Sequence, residues 1–312
     1  MDYIILLGGI ALLLASGNYL VEGSVSLAHH FKVSTLVIGV VIVSFGTSAP
    51  ELLVSLQAAI RGHADISIGN VIGSNISNIA LVLGLTAMMF PILISKKVMR
   101  LDYPFLILTS FLLLYFLIDG ELLLYEGIIL FLLLISYLIY SIFKSRKETK
   151  DKAEAIQAPK FSMPISFVIV AGASIGLVLG ARWLVESASR IAIQWGVSER
   201  IISLTIVAFG TSIPELAASI IGMIKKEPDI SIGNIIGSNL FNILGILGLS
   251  ATISPIHNID PGLFQIDIYW MLGLTLGLLA LIVMPFNRFI ISRLKGAVLF
   301  ATYIIYILLL FH

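Results

Sequence analysis

Glu51 and Glu215 each close a run of small residues inside an apolar stretch. The first run is Ser44-Phe45-Gly46-Thr47-Ser48-Ala49-Pro50-Glu51, and the second is Phe209-Gly210-Thr211-Ser212-Ile213-Pro214-Glu215. Leu36 to Val43 precede the first run and Leu52 to Leu56 follow it, so Glu51 falls near the centre of a membrane-length segment. A charge at that depth costs about 2.5–3.5 kcal/mol on insertion scales unless something pairs with it. Ionisable groups so placed mark functional sites, and the partner must be named. The carboxamides of Asn78 and Asn242 and the hydroxyls of Thr47, Ser48, Ser74, Thr211, Ser212 and Ser238 complete an all-oxygen set. Hard cations such as Ca²⁺ take about six to eight oxygens, carboxylates among them. No His, Cys or Met joins the set, which argues against softer transition metals. Mg²⁺ fits less well, because it sheds water reluctantly and demands a rigid octahedron. Two carboxylates balance one Ca²⁺, or are satisfied by several Na⁺. Neither Lys nor Arg stands at that depth, so Glu51 is expected to pair with Glu215 through a cation.

The chain that positions these residues is a membrane protein by composition. Of its 312 residues 58% are hydrophobic and 12% charged, and the mean hydropathy is +1.05; soluble domains carry about 25% charged residues. The absence of cysteine excludes disulfides, thiol catalysis and Cys-based zinc or iron–sulfur sites. Met1-Asp2-Tyr3 lacks the basic leader of a signal peptide, so the first apolar segment is expected to be retained.

Spans of about 20 apolar residues are expected at 2–27, 35–60, 66–90, 103–118, 122–143, 163–192, 200–224, 230–253, 266–285 and 289–311. The charged stretch 144–162 is expected to be a solvated linker between the first five and the last five. A shift of 164 residues lays one half on the other. Phe45–Glu51 falls on Phe209–Glu215, and Asp65–Asn78 on Asp229–Asn242 with 11 of 14 positions identical. Leu20-Val21-Glu22, Val33-Ser34 and Pro91-Ile92 also find their copies at this offset, without a gap. Apolar composition alone does not align Gly, Asn, Ser, Pro and Glu, so the chain is an internal duplication. Five spans per copy is odd, and the second copy must enter the membrane from the opposite side.

The expected fold is therefore an all-α integral membrane protein of ten transmembrane helices. Two inverted five-helix repeats, 1–143 and 163–312, flank the linker 144–162. Helices 2, 3, 7 and 8 are expected to be broken at their Gly, Pro, Ser and Asn residues, freeing carbonyls as cation ligands. With the linker placed in the cytoplasm, fifteen Lys and Arg fall on that side and four on the other. That bias puts both termini outside the cell membrane.

Gly-Thr-Ser-x-Pro-Glu and Gly-Asn-x-x-Gly-Ser-Asn-x-x-Asn, each present twice, resemble the alpha-repeats of the calcium/cation antiporter superfamily. The sodium/calcium exchangers, in their prokaryotic form, are the nearest match, and the resemblance spans essentially the whole chain. It implies Na⁺-driven Ca²⁺ exchange by alternating access, with Na⁺, Ca²⁺ and the lipid bilayer as partners. It implies neither enzymatic activity, nor a cofactor, nor nucleic acid, and a protein functional as a monomer. Carried onto this sequence, the central Ca²⁺ position uses the side chains of Glu51 and Glu215 and the carbonyls of Thr47 and Thr211. The Na⁺ positions draw on Ser48, Ser74, Ser212 and Ser238 and on the carbonyls of Ser44 and Ala208. Asn78 and Asn242 complete the middle. Potassium-dependent relatives carry Asp where this chain has Asn242, which favours K⁺-independent exchange. H⁺/Ca²⁺ antiport is the second reading.

Several residues have plainer roles. Asn70, Asn75, Asn234 and Asn239 are expected to brace the helix breaks, and Asp65 and Asp229 to cap helices. Glu22 and Glu186 are expected in the vestibule, on helices that the resemblance makes sliding gates. Two other function classes compete with an antiporter. A channel could use two glutamates as a constriction, yet broken helices in an inverted repeat favour alternating access. An intramembrane enzyme would need a base beside Ser48 or Ser212, and no buried His or Lys supplies one.

Overall fold

The structure is a computed structural model that describes residues 1–151, 159–197, 202, 208–286 and 288–310. Among the described residues the elements are helices joined by loops, with a two-stranded ribbon and one isolated bridge. In chain order the helices are α1 (Asp2–Phe31), α2 (Thr35–Thr47), α3 (Ala49–Ile60), α4 (Ala64–Met89), α5 (Val98–Asp119) and α6 (Leu124–Asp151). The second half holds α7 (Met163–Gln194), α8 (Ala208–Gly210), α9 (Ile213–Ile224), α10 (Pro228–Ile253), α11 (Gln265–Val283) and α12 (Arg293–Leu309). Among the described residues seven helices are long and apolar enough to cross a bilayer, and eight if α2 and α3 form one span. This is a multi-pass membrane protein. Residues 200, 201 and 203–207 of the expected seventh span, and 152–158 of the expected linker, lie outside the described residues.

Two compact units make up the chain. One comprises Met1–Thr47 and Ile142–Asn234, the other Ser48–Ser141 and Ile235–His312. Each unit draws on both halves of the sequence.

In the first unit α1 lies along α7. Leu13, Leu20, Leu27, Val170 and Leu177 fill the seam. At its crossing point a Cβ on Gly9 would stand 3.0 Å from the carbonyl oxygen of Gly180, so only glycine allows this approach. Three residues on one face of α1 hold the segment that leads into α7. Ser26 Oγ accepts from Phe161 N (3.2 Å), His30 Nε2 lies 2.8 Å from Phe161 O, and Glu22 Oε2 meets Lys160 Nζ at 2.8 Å. The other oxygen of Glu22 pairs with Lys225 Nζ at 2.7 Å, beyond the end of α9. Glu22, which is half-buried, is thus clamped between two ammonium groups.

The second unit repeats its own contacts. Gly84 of α4 meets Gly296 of α12, and Gly248 of α10, its copy at the 164-residue offset, meets Gly127 of α6. A Cβ on Gly296 would fall 2.7 Å from Gly84 O, and one on Gly248 would fall 2.8 Å from Phe131 N. Ile92 pairs with Ile291 in the ribbon, and Ile256, the copy of Ile92, bridges Leu122. Tyr137 donates to Asp102 Oδ1 at 2.8 Å, and Tyr306 donates to Asp267 Oδ1 at 3.0 Å.

Three expectations are corrected by this fold. The third and eighth spans are not broken. Each runs on through a π turn, Ser77–Leu83 in α4 and Phe241–Leu247 in α10, and these turns are again 164 residues apart. A wide turn absorbs the irregularity while backbone bonding continues. Helix α6 extends to Asp151, so the first part of the expected linker is helical. No Gly or Pro interrupts 144–151, its Lys, Arg and Glu are good helix formers, and Arg146 Nε anchors it to Phe31 O at 3.1 Å. Asp65 is not a cap: His63 precedes α4, and Asp65 Oδ1 instead accepts from Asp260 N at 2.7 Å.

The glycine contacts give a stability test. Gly248→Val should cost about 1–3 kcal/mol through overpacking and lower the thermal midpoint of the detergent-solubilised protein. Gly273→Ala, with no atom within 4 Å of the added carbon, should leave the midpoint unchanged or slightly raised. Equal midpoints for the two variants would refute the close packing.

Candidate functional site

The second span breaks at Ser48 (φ −89°, ψ 7°) and the seventh at Ser212 (φ −90°, ψ 0°). Both residues leave the helical region, and a new helix starts at once with Pro50 or Pro214 in its first turn. Proline suits that position, since the amide hydrogen it lacks would have had no partner there. The break places Glu51 and Glu215 each at the third residue of a fresh helix, α3 and α9. Unpaired backbone N–H groups there make a positive helix end that complements a carboxylate. Glu51 is 3% exposed and Glu215 2%.

The same asparagine holds each carboxylate's backbone. Asn70 Nδ2 donates to Glu51 O (3.2 Å) and to Ser55 Oγ (2.8 Å). Asn234 Nδ2 donates to Glu215 O (3.3 Å) and to Ser219 Oγ (3.2 Å). Ser55 and Ser219 are buried and sit at the 164-residue offset. Their part in the brace was missed in the sequence, although two aligned serines on apolar helices were the signal for it. Asp102 and Asp267 were missed as well. Their tyrosine partners, Tyr137 and Tyr306, are 169 residues apart, so the repeat alignment does not bring them together.

Six of the candidate residues lie in the first unit: Ser44, Thr47, Ala208, Thr211, Ser212 and Glu215. There the hydroxyl of Thr47 reaches Asn234 Oδ1 at 3.1 Å and Ser44 O at 3.3 Å, linking the first-repeat break to the asparagine that holds Glu215. Ser44 Oγ donates to Val40 O, its own helix. Ala208 belongs to the short turn α8. Thr47 is buried whereas its copy Thr211 is exposed, so the two breaks are not equivalent in this structure.

The other six lie in the second unit: Ser48, Glu51, Ser74, Asn78, Ser238 and Asn242, all buried. Helix α3 packs on α4 and on the π turn of α10. Asn242 Nδ2 donates to Asn75 Oδ1 at 3.1 Å, tying α10 to α4. Glu51 Oε2, Ser238 Oγ and Asn242 Oδ1 are fully buried with no hydrogen-bond partner among the described residues. Such atoms are rare in native proteins, and a bound ion or water accounts for them. Among the described residues no three His, Asp or Glu side chains form a metal-binding group. A carboxylate with hydroxyl and carboxamide oxygens beside it is a donor set of the kind that hard cations such as Na⁺ and Ca²⁺ take.

Comparison with known proteins agrees with this chemistry. The sodium/calcium exchanger protein family matches residues 1–143 and 165–312. A putative antiporter, CaxA of Alkalimonas amylolytica, is 38% identical over 99% of this chain and 98% of its own. The sodium/calcium exchanger MaX1 of Methanosarcina acetivorans is 29% identical over 100% and 99%. Among solved structures, the sodium-calcium exchanger NCX_Mj superposes with a TM-score of 0.80 at 31% identity, covering 97% of each chain. The chain belongs to the sodium/calcium exchanger family, whose members are membrane antiporters.

Proposed function

We propose that this protein exchanges Na⁺ for Ca²⁺ across the cell membrane by alternating access, without a requirement for K⁺. The observation that carries the reading is the pair Glu51 and Glu215. Both are buried carboxylates at the start of a helix interrupted in mid-span, and both are held by an asparagine from the following helix. Span two contains no Lys or Arg between Thr35 and Ile60. A transported cation is then the counter-charge. The ligands assigned to it are the side chains of Glu51, Glu215, Asn78, Asn242, Ser48, Ser74, Ser212 and Ser238. The carbonyls of Ser44, Thr47, Ala208 and Thr211 complete the set. Thr47 serves through its carbonyl, since its hydroxyl is already engaged with Asn234 and Ser44.

The same proposal includes ten spans in two inverted repeats, 1–143 and 163–312, with the 144–162 segment in the cytoplasm and both termini outside. It is supported by the 164-residue recurrence of the π turns, the glycine contacts and the ribbon-like bridges. Opposed repeats present one cation seat alternately to the two faces of the membrane. The protein acts as a monomer and needs no cofactor. Asn242 leaves the site with two formal negative charges, which suits one Ca²⁺ and removes the extra carboxylate seen in potassium-dependent relatives.

Proteoliposomes loaded with Na⁺ and diluted into Na⁺-free medium should take up ⁴⁵Ca²⁺, and K⁺ on either side should not change the rate. Uptake driven equally well by a proton gradient without Na⁺ would overturn Na⁺ coupling. Glu51→Gln or Glu215→Gln should cut uptake roughly 100-fold or more, because a neutral amide replaces an anionic ligand of the divalent cation. Wild-type uptake in either variant would remove that residue from the site. Asn242→Asp should alter the Ca²⁺ or Na⁺ half-saturation or introduce a K⁺ dependence, and an unaltered profile would refute the charge argument.

A further inference from the structure

Residues 238–242 of α10 carry four side-chain atoms that are buried and have no hydrogen-bond partner among the described residues. They are Ser238 Oγ, Asn239 Oδ1, Asn239 Nδ2 and Asn242 Oδ1. Ser238, Asn239 and Asn242 are each 1% exposed or less. The first-repeat copy of this stretch, at the same offset, is a built-in control. Among the described residues no side-chain N or O atom of Ser74, Asn75 or Asn78 is both fully buried and without a hydrogen-bond partner. Asn75 spends its oxygen on Asn242 Nδ2 and its amide on Met271 Sδ at 3.5 Å.

Asn239 is therefore the odd member of the four asparagines in these motifs. Asn70 and Asn234 hold the carbonyls of Glu51 and Glu215, and Asn75 holds Asn242. Among the described residues no hydrogen-bond partner meets either polar atom of the Asn239 side chain. A carboxamide buried without partners is costly unless an ordered water or ion meets it. Its neighbours select between those two. Ser238 and Asn242 lie on either side of it along the helix, and both offer oxygen lone pairs. The same unit contributes Glu51 Oε2, also buried and without a partner among the described residues, on a helix packed against the π turn that carries Asn242. The unmet atoms are thus three carboxylate or carboxamide oxygens, a serine hydroxyl that can accept as well as donate, and one amide nitrogen; oxygen lone pairs outnumber donors, a balance that a hard cation satisfies.

We infer that Asn239 is a further ligand of the transported cation through Oδ1, with Nδ2 donating to an ordered water. The inference rests on the cation-exchange reading and adds a ligand to its site. It makes the two repeats unequal: the second-repeat motif binds the ion with a residue that the first-repeat motif uses as a brace.

The test is Ca²⁺-dependent thermal stabilisation of the full-length protein in detergent, with choline chloride holding the ionic strength. Asn239→Leu removes both unmet atoms at similar shape. It should unfold without added Ca²⁺ at or above the wild-type midpoint, and need about tenfold more Ca²⁺ for half-maximal stabilisation, the equivalent of one lost ligand contact. Asn239→Asp, which keeps an oxygen there, should need less Ca²⁺ than Asn239→Leu. Half-saturation by Asn239→Leu at the wild-type concentration would overturn the inference. Should Asn239→Leu fail to fold, Asn239→Ser gives the same reading: a raised half-saturation supports the ligand role and an unchanged one refutes it. Glu51→Gln separates the two levels of the argument. If it loses Ca²⁺ stabilisation while Asn239→Leu keeps it, only the role of Asn239 fails. If Glu51→Gln also keeps it, the cation site itself is misplaced.

Discussion

Placing an anionic side chain in mid-membrane is the constraint on which the structure depends. A carboxylate in an unbroken apolar helix has no favourable neighbour, and its cost there is a large fraction of a domain's stability. The chain meets this locally by ending one helix and starting another at Ser48, and again at Ser212. Glu51 and Glu215 thereby stand at positive helix ends. A second cost follows, because a helix break in a bilayer leaves backbone groups without partners. Asn70 and Asn234 meet part of it by donating to the carbonyls of the two glutamates. Among the described residues Glu51 Oε2 is left without a hydrogen-bond partner, and its lone pairs suit a hard cation.

Close helix packing elsewhere accompanies these interrupted helices. Glycine pairs bring α4 against α12 and α6 against α10 at backbone distance. Association in lipid relies on this kind of close packing, since hydrocarbon offers no hydrophobic drive between helices. The Asp–Tyr pairs at Asp102, which is buried, and at Asp267, which is half-buried, add polar ties between the helices that carry them. The π turns let α4 and α10 carry Asn78 and Asn242 without a gap in the helix. Each device occurs twice, as expected when a duplicated sequence meets the same problem in both copies.

The copies have nevertheless diverged. Thr47 is buried and bonded to Asn234 while Thr211 is exposed. Glu22 is clamped by Lys160 and Lys225, whereas Glu186 pairs with Arg182 and Arg190 of its own helix.

Composition alone determined that the chain lives in a membrane, because 12% charge cannot solvate 312 residues. The glutamates, their small-residue surroundings and the 164-residue repeat were equally legible, since Gly, Pro, Asn and Glu within apolar runs stand out against a uniform background. Helix ends were read less well. The sequence of 144–151 looks solvated, yet charge does not forbid helix, and α6 continues through it. The Gly73-Ser74-Asn75 stretch has the composition of a break, but packing on both sides kept α4 whole and moved the irregularity into a π turn. Pair partners could not be read at all. That Asn70 holds Glu51 O, that Glu22 lies between two lysines and that Asn239 has no hydrogen-bond partner among the described residues depend on how helices distant in sequence are brought side by side. Residue type states which bonds a side chain can make, and only the tertiary packing decides which of them are made.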